Sequence, residues 1–252
     1  MNVQIKEMMR SLKLKYAAEA WAGLDGDEKL LAKLSLDDAL ITLLTAEING
    51  RAAAREAMLM QTSKIPVPAD LSQIDYDDNR GPEFAKAMAR VKGMSWLEAG
   101  GNICLFGSSG SGKTFVSSAI AREAVRKGRP VRFFNARDLA ASLAEKRRQG
   151  EHVYMTARKS ILRCGLIVLD DFCLTPPSAE EIQSLFDILN DRTGKHSVLV
   201  TSQKDCNRWM EEMGISAIGE AVAERLDAGA LEITLGTGSR RRKANESKSE
   251  NN

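Results

Sequence analysis

The apolar positions of this chain follow one period up to residue 62 and another from residue 102 onward. In the first stretch Val3, Ile5, Met8, Met9, Leu12, Leu14 and Tyr16 recur at helical spacing. A break follows at GLDGDE, around Gly23 and Gly26. Ser35 then opens a second helical segment as an N-cap, with Asp38 three residues on as a short-armed form of the capping box. Leu36, Ala39, Leu40, Leu43, Leu44 and Ile48 make its apolar stripe, and Gly50 either lies within one long helix or separates two. Residues 1–65 are therefore expected to form a small all-helical domain. Its opening helix is basic, with Lys6, Arg10, Lys13 and Lys15.

Pro66 and Pro68 interrupt the helical pattern, since neither can donate a backbone hydrogen bond and each pushes the preceding residue toward extended backbone. Residues 66–81 are expected to be an extended linker. PEFAKAMARVKGMSWLEAG then reads as one helix with Pro82 in its first turn. Beyond it, short apolar runs alternate with helical segments. NICLFG, VRFFNA, LIVLDD, SVLVTS and ALEITL predict strands, with helices over 113–127, 137–163, 178–193 and 216–227. Such alternation predicts α/β architecture, with a parallel sheet flanked by helices on both faces. Residues 237–252 carry Arg240, Arg241, Arg242, Lys243 and Lys248 against two acids, and are expected to be a basic disordered tail.

Composition narrows the classes. In 252 residues, 36 Lys and Arg nearly balance 34 Asp and Glu, so a nucleic-acid surface must come from local clusters. The four cysteines show no CxxC spacing, and no apolar run approaches the about 18 residues that suggest a bilayer span. No membrane association is expected, and the reading is a reducing, cytoplasmic protein.

The candidate chemistry begins where the first predicted strand ends. Gly107, Ser108, Ser109, Gly110, Ser111, Gly112, Lys113 and Thr114 fit GxxxxGK[ST] between a strand and a helix. Glycines let successive N–H groups wrap one oxyanion, and the helix start adds its free donors and positive dipole end. Lys113 is expected on the β- and γ-phosphates of ATP, and the Thr114 hydroxyl on Mg²⁺. Asp170 and Asp171 stand at the C-terminal end of LIVLDD, the edge where open α/β sheets bind ligands. Asp170 is assigned to Mg²⁺, directly or through its water, and Asp171 to polarising the attacking water. Many ATPases of this build carry Glu at the second position. Asp is one methylene shorter, so slow turnover is expected. If SVLVTS lies between the other two strands, Thr201, Ser202 or Gln203 would face the γ-phosphate.

In this order, the P-loop, the paired aspartates, TSQ and AVAERLDAGALEITL resemble the IstB/DnaC group of AAA+ ATPases, which are relatives of DnaA. LKLKYAAEAWAGL, LSLDDAL and KIPVPADLSQIDYDD extend the resemblance to the IstB-like transposition helpers over nearly the whole chain. The resemblance implies an AAA+ core over 82–236. It implies Walker A at 107–114, Walker B at Asp170 and Asp171, sensor 1 at Gln203, and an arginine finger at Arg225 that completes a neighbouring subunit's ATP site. It implies oligomerisation on duplex DNA, largely independent of sequence, and an IstA-type transposase as partner. The N-terminal block would contact DNA or the partner. No folded C-terminal lid fits after ALEITL, so a sensor 2 arginine is either missing or comes from the tail. Lys146, Arg147 and Arg148, with Arg158 and Lys159 nearby, are expected to meet DNA phosphates. Two other readings share the core motifs. A helicase loader of the DnaC type would favour single strands, and a P-loop kinase for a small molecule would be a monomer with an acceptor pocket.

Overall fold

The computed structural model describes residues 3–27, 29, 33–76, 81–214 and 216–236. The tail at 237–252, and with it any tail arginine at the nucleotide, lies outside the described residues. The chain divides between Met58 and Leu59 into two compact units.

The first unit contains α1 (Val3–Ser11), α2 (Lys15–Asp25) and the start of α3 (Leu36–Ser63). Lys13 takes a left-handed backbone between α1 and α2, with φ of 60°. At Ser35 the predicted cap forms with a different second half. The Ser35 hydroxyl accepts the Asp38 N–H and donates to the Asp38 carboxylate, so the short aspartate arm meets the hydroxyl. Gly50 lies within the single long helix α3. A Cβ there would come within 2.1 Å of the Tyr16 ring, so the glycine lets α2 close against α3. Glu47, buried on α3, accepts the N–H groups of Tyr16 and Ala17 and so caps α2 from outside. Burial alone would push its carboxyl up, but those N–H groups and Arg51 hold it below the usual range.

The second unit holds a five-stranded, wholly parallel sheet: β1 (Ile103–Phe106), β2 (Val131–Asn135), β3 (Leu166–Asp170), β4 (Ser197–Ser202) and β5 (Leu231–Thr234). The spatial order is β2-β3-β4-β1-β5, which places β4 between the P-loop strand and the acid strand. Side chains alternate across the sheet. Ile103, Leu105, Leu166, Val168 and Leu199 face one core, and Cys104, Ile167, Leu169, Val198 and Val200 face the other. Helices α4 (Gly81–Lys92) and α6 (Lys113–Arg126) cover the first face. Helices α7 (Ala136–Gln149), α8 (Glu151–Leu162), α9 (Ala179–Arg192), α10 (Cys206–Glu212) and α11 (Ala217–Asp227) cover the second.

Three expectations change here. The stretch from Pro66 to Tyr76 is not a bare linker. Ala69, Leu71 and Ile74 are buried in the first core, a 3-10 turn over Leu71–Gln73 is capped by Asp70, and Asp70 pairs with Arg126 at 2.6 Å. The prolines exclude helix, but the apolar side chains that follow them still find a core; residues 77–80 lie outside the described residues. The helix expected over 82–100 breaks at Gly93, where Met94 turns left-handed (φ 56°) before a short α5 (Ser95–Glu98). The third change is α10, which no apolar run foretold.

Two polar features fasten the second face. Arg192 is fully buried and donates to the carbonyls of Ile161, Cys164 and Ser197, which joins the end of α8 to the start of β4. Burial lowers its pKa to about 10. Arg147 and Tyr154 both donate to the Asp187 carboxylate on α9, and the Arg147 guanidinium lies 4.1 Å from the Tyr154 ring centre. Burial would raise the Asp187 carboxyl, yet these donors and Gln183 hold it below the ordinary range.

Two stability measurements follow. Gly50→Ala improves local helix propensity by about 1 kcal/mol, yet melting is expected to show net destabilisation, because the Tyr16 ring leaves no room for Cβ. Unchanged or raised stability would contradict the packing. Asp187→Asn is expected to cost about 2 kcal/mol at neutral pH. The depressed folded pKa makes the carboxylate's contribution full above the unfolded value near ~4 and lost as pH falls through the folded value. The gap to wild type should therefore close in acid, and a gap that persists at low pH would contradict the network.

Candidate nucleotide site

The site stands on the C-terminal edge of three neighbouring strands. Register places Phe106 beside Ser202, and Leu169 beside Val200, so the P-loop, Asp170 and Thr201 emerge at one level. The sequence turns sharply at this edge. Gly110 and Gly112 have φ of 80° and 97°, a backbone that side chains disfavour. A Cβ on Gly107 would lie 2.5 Å from the Ser111 hydroxyl. Helix α6 begins directly at Lys113, so its free N–H groups open onto the loop.

Within this loop Lys113 is buried, and its ammonium donates to the carbonyls of Gly107 (2.8 Å) and Ser108 (3.0 Å). Thr114 donates to Asp170 Oδ2 at 3.0 Å. Burial pushes the Asp170 carboxyl up against the pull of Thr201, Thr114 and Lys113, with Asp171 adding repulsion. Among the described residues the buried Ser111 hydroxyl has no hydrogen-bond partner.

These observations fit a magnesium-bound triphosphate. The orphaned Ser111 hydroxyl lies in the loop, the backbone is coiled by glycines, a lysine is held back on loop carbonyls, and a hydroxyl and a carboxylate stand together at the helix start. The loop and Lys113 would hold the phosphates, and Thr114 with Asp170 would hold the cation. Mg²⁺ when bound supplies charge neutralisation between phosphate oxygens.

Thr201 has a larger part than sequence spacing suggested. Its buried hydroxyl donates to Asp170 Oδ1 at 2.5 Å and accepts the Asp171 N–H at 3.1 Å. The Thr201 carbonyl accepts the Phe172 N–H. Asp171 sits left-handed (φ 55°), a backbone that aspartate tolerates better than most residues. Ser202 is turned inward. Its hydroxyl donates to the Phe172 carbonyl and accepts the Trp209 indole N–H at 2.9 Å. Gln203 stands exposed just past the strand end. The neighbours on β4 thus divide the work: Thr201 braces the acids and Ser202 anchors α10. The sequence did carry a signal for α10. Asp205 caps it by accepting the Arg208 N–H, and Gly214 follows its end with φ of 78°.

Arg225 lies elsewhere. Near the end of α11, its carbonyl accepts from Asn102, the residue just before β1. Arg225 is therefore at the N-terminal edge of the sheet, whereas its own P-loop follows the C-terminal end of β1. The expected basic cluster is largely paired. Arg147 meets Asp187, Arg148 meets Glu145 and Glu180, and Arg158 meets Asp191. Lys146 donates to Ser142, and Lys159 is exposed. Neither lysine has a carboxylate within ion-pair distance among the described residues.

No helix among the described residues is long and apolar enough to cross a membrane. The solved structure of the DnaC helicase loader superposes with a TM-score of 0.53 at 21% identity, covering 66% of this chain and 96% of that one. AMPPCP-bound DnaA from Aquifex aeolicus gives 0.56 at 22% identity, over 74% of this chain and 56% of that one. At these identities the likeness is one of fold. Sequence relatives are nearer. An IS21-like insertion-sequence ATP-binding protein of Bacteroides fragilis is 30% identical over 88% of this chain and 83% of its own length. An insertion-sequence ATP-binding protein of Sinorhizobium fredii is 31% identical over 83% and 84%. The model of the family described as IstB-like ATP binding protein matches residues 7–249, and the chain belongs to that family.

Proposed function

We propose that this chain is an ATP-dependent helper of insertion-sequence transposition. It assembles on duplex target DNA, recruits the partner transposase, and uses slow Mg²⁺-dependent ATP hydrolysis to hold or release the assembly. The observation that carries this reading is the separation of Arg225 from its own P-loop by the length of β1. An arginine so placed serves a neighbour's γ-phosphate, which makes nucleotide state a property of the subunit joint. The insertion-sequence relatives support the biological setting.

In this reading Lys113 and the loop N–H groups bind the phosphates, and Thr114 and Asp170 hold the cation. Asp171 polarises the attacking water, with its backbone fixed by Thr201. Gln203, exposed at the end of β4, is within the segment that faces the γ-phosphate. Contact with DNA is through phosphates, with Lys146 and Lys159 as the donors whose charge is not already met. Arg147, Arg148 and Arg158 fasten helices together and contribute less. Binding is thus expected to be salt-sensitive and largely independent of sequence.

Electron microscopy with duplex DNA and a non-hydrolysable ATP analogue tests this directly. Wild type should form ordered oligomers on the duplex. Lys113→Ala should form none, while Asp171→Asn should assemble yet lose ATP turnover by about two orders of magnitude or more. Absence of wild-type oligomers under every nucleotide would overturn the reading, and normal turnover by Asp171→Asn would overturn the role of that acid.

A further inference from the structure

Arg51, Arg126, Arg147, Arg148 and Arg158 each meet a carboxylate, but the side-chain partner of Arg225 is an amide. Its Nε and Nη2 both donate to Asn190 Oδ1, at 3.2 and 3.0 Å, and its Nη1 donates to the Ala221 carbonyl at 2.9 Å. The guanidinium lies 4.6 Å from the centre of the Phe186 ring. Phe186 and Asn190 are four residues apart on α9, hence on one face, and that face packs on α11. Behind the side chain, Asn102 Nδ2 donates to the carbonyls of Arg225 and Leu226, and Asn102 Oδ1 accepts the Val198 N–H. The backbone of Arg225 is thereby tied to the starts of β1 and β4. The side chain borders a cleft of about 630 Å³ at this edge of the sheet, lined also by Asn190, His196 and Glu224.

The chemistry of this clamp is specific. An arginine only donates, so the carbonyl oxygen of Asn190 must face it. Among the described residues three of the five guanidinium N–H groups are engaged and two are left over. The partner at Asn190 is neutral, so it orients the fork without cancelling its charge. A carboxylate at the same place would make a bidentate ion pair and take the fork out of use.

We infer that Asn190 is a positioning residue for Arg225, holding its guanidinium in a fixed direction and still charged for an anion presented across the cleft. This rests on the reading that Arg225 completes the ATP site of an adjoining copy. Phe186 supports the flat face of the guanidinium, as aromatic rings do for arginine.

Mixed assemblies test the inference apart from that reading. A donor subunit carries Asp171→Asn, which keeps Arg225 but lacks turnover. An acceptor subunit carries Arg225→Ala, which keeps its ATP site but lacks the finger. Neither hydrolyses ATP appreciably alone, and mixing them should restore turnover. Adding Asn190→Asp to the donor should lower the restored rate at least about tenfold, given the orders of magnitude that such an arginine supplies. Adding Asn190→Asp to the acceptor should leave it unchanged. Asn190→Ala in the donor should fall between. Asn190 is exposed, and a folding defect would act from either subunit, so the asymmetry separates positioning from stability. If mixing restores nothing, completion by a neighbour is wrong and the inference falls with it. If mixing restores turnover and donor Asn190→Asp performs as well as the unmodified donor, the role of Asn190 alone is overturned.

Discussion

The hydroxyl of Thr201 ties together the pieces on which the nucleotide site depends. It donates to the carboxylate of Asp170 and accepts the backbone N–H of Asp171, while Asp170 also receives the hydroxyl of Thr114. Two strands, β3 and β4, and the start of α6 are joined by these contacts in a buried setting. Such bonds hold better there than in water, and leaving one partner unsatisfied is costly. This joint is possible only because β4 lies between β1 and β3. The strand order is thus a requirement of the site. Ser202 continues the joint outward to Trp209, which packs edge-on against Phe172 at 4.9 Å.

The two edges of the sheet are built for different tasks. The C-terminal edge gathers the donors and acids of the candidate nucleotide site. The N-terminal edge is held by amides and a buried arginine: Asn102 fixes the end of α11, and Arg192 collects carbonyls from α8 and β4. Arg225 belongs to this second edge. Elsewhere on the same face arginines are met by Asp187, Asp191 and Glu180, which makes them fasteners between helices. In the proposed reading the neutral partner at Asn190 keeps Arg225 for a ligand, whereas Arg147, Arg148 and Arg158 are used for packing.

Much of this was legible in the sequence. The five strands announce themselves as apolar runs because both faces of a parallel sheet are covered. The P-loop and the paired aspartates are local features, and their spacing survives folding unchanged. What escaped was determined by partners distant in the chain. Nothing around Arg192 indicates that it will be buried among carbonyls, since its acceptors come from two other segments, the end of α8 and the start of β4. The pairing of Arg147 and Arg148 was hidden because Asp187 and Glu180 lie on α9, far along the chain. The proline stretch looked like a linker because prolines mark the loss of helix and say nothing about burial. At β4, resemblance pointed to Gln203, whereas the inward pleat gives the bracing contact to Thr201.

The central claim is that the ATP site is incomplete within one chain. The most direct measurement is the rate of ATP turnover per subunit as protein concentration rises at saturating ATP, with sedimentation recording the assembly state. The account predicts that turnover per subunit climbs as monomers give way to oligomers. Constant turnover per subunit across that transition would contradict it.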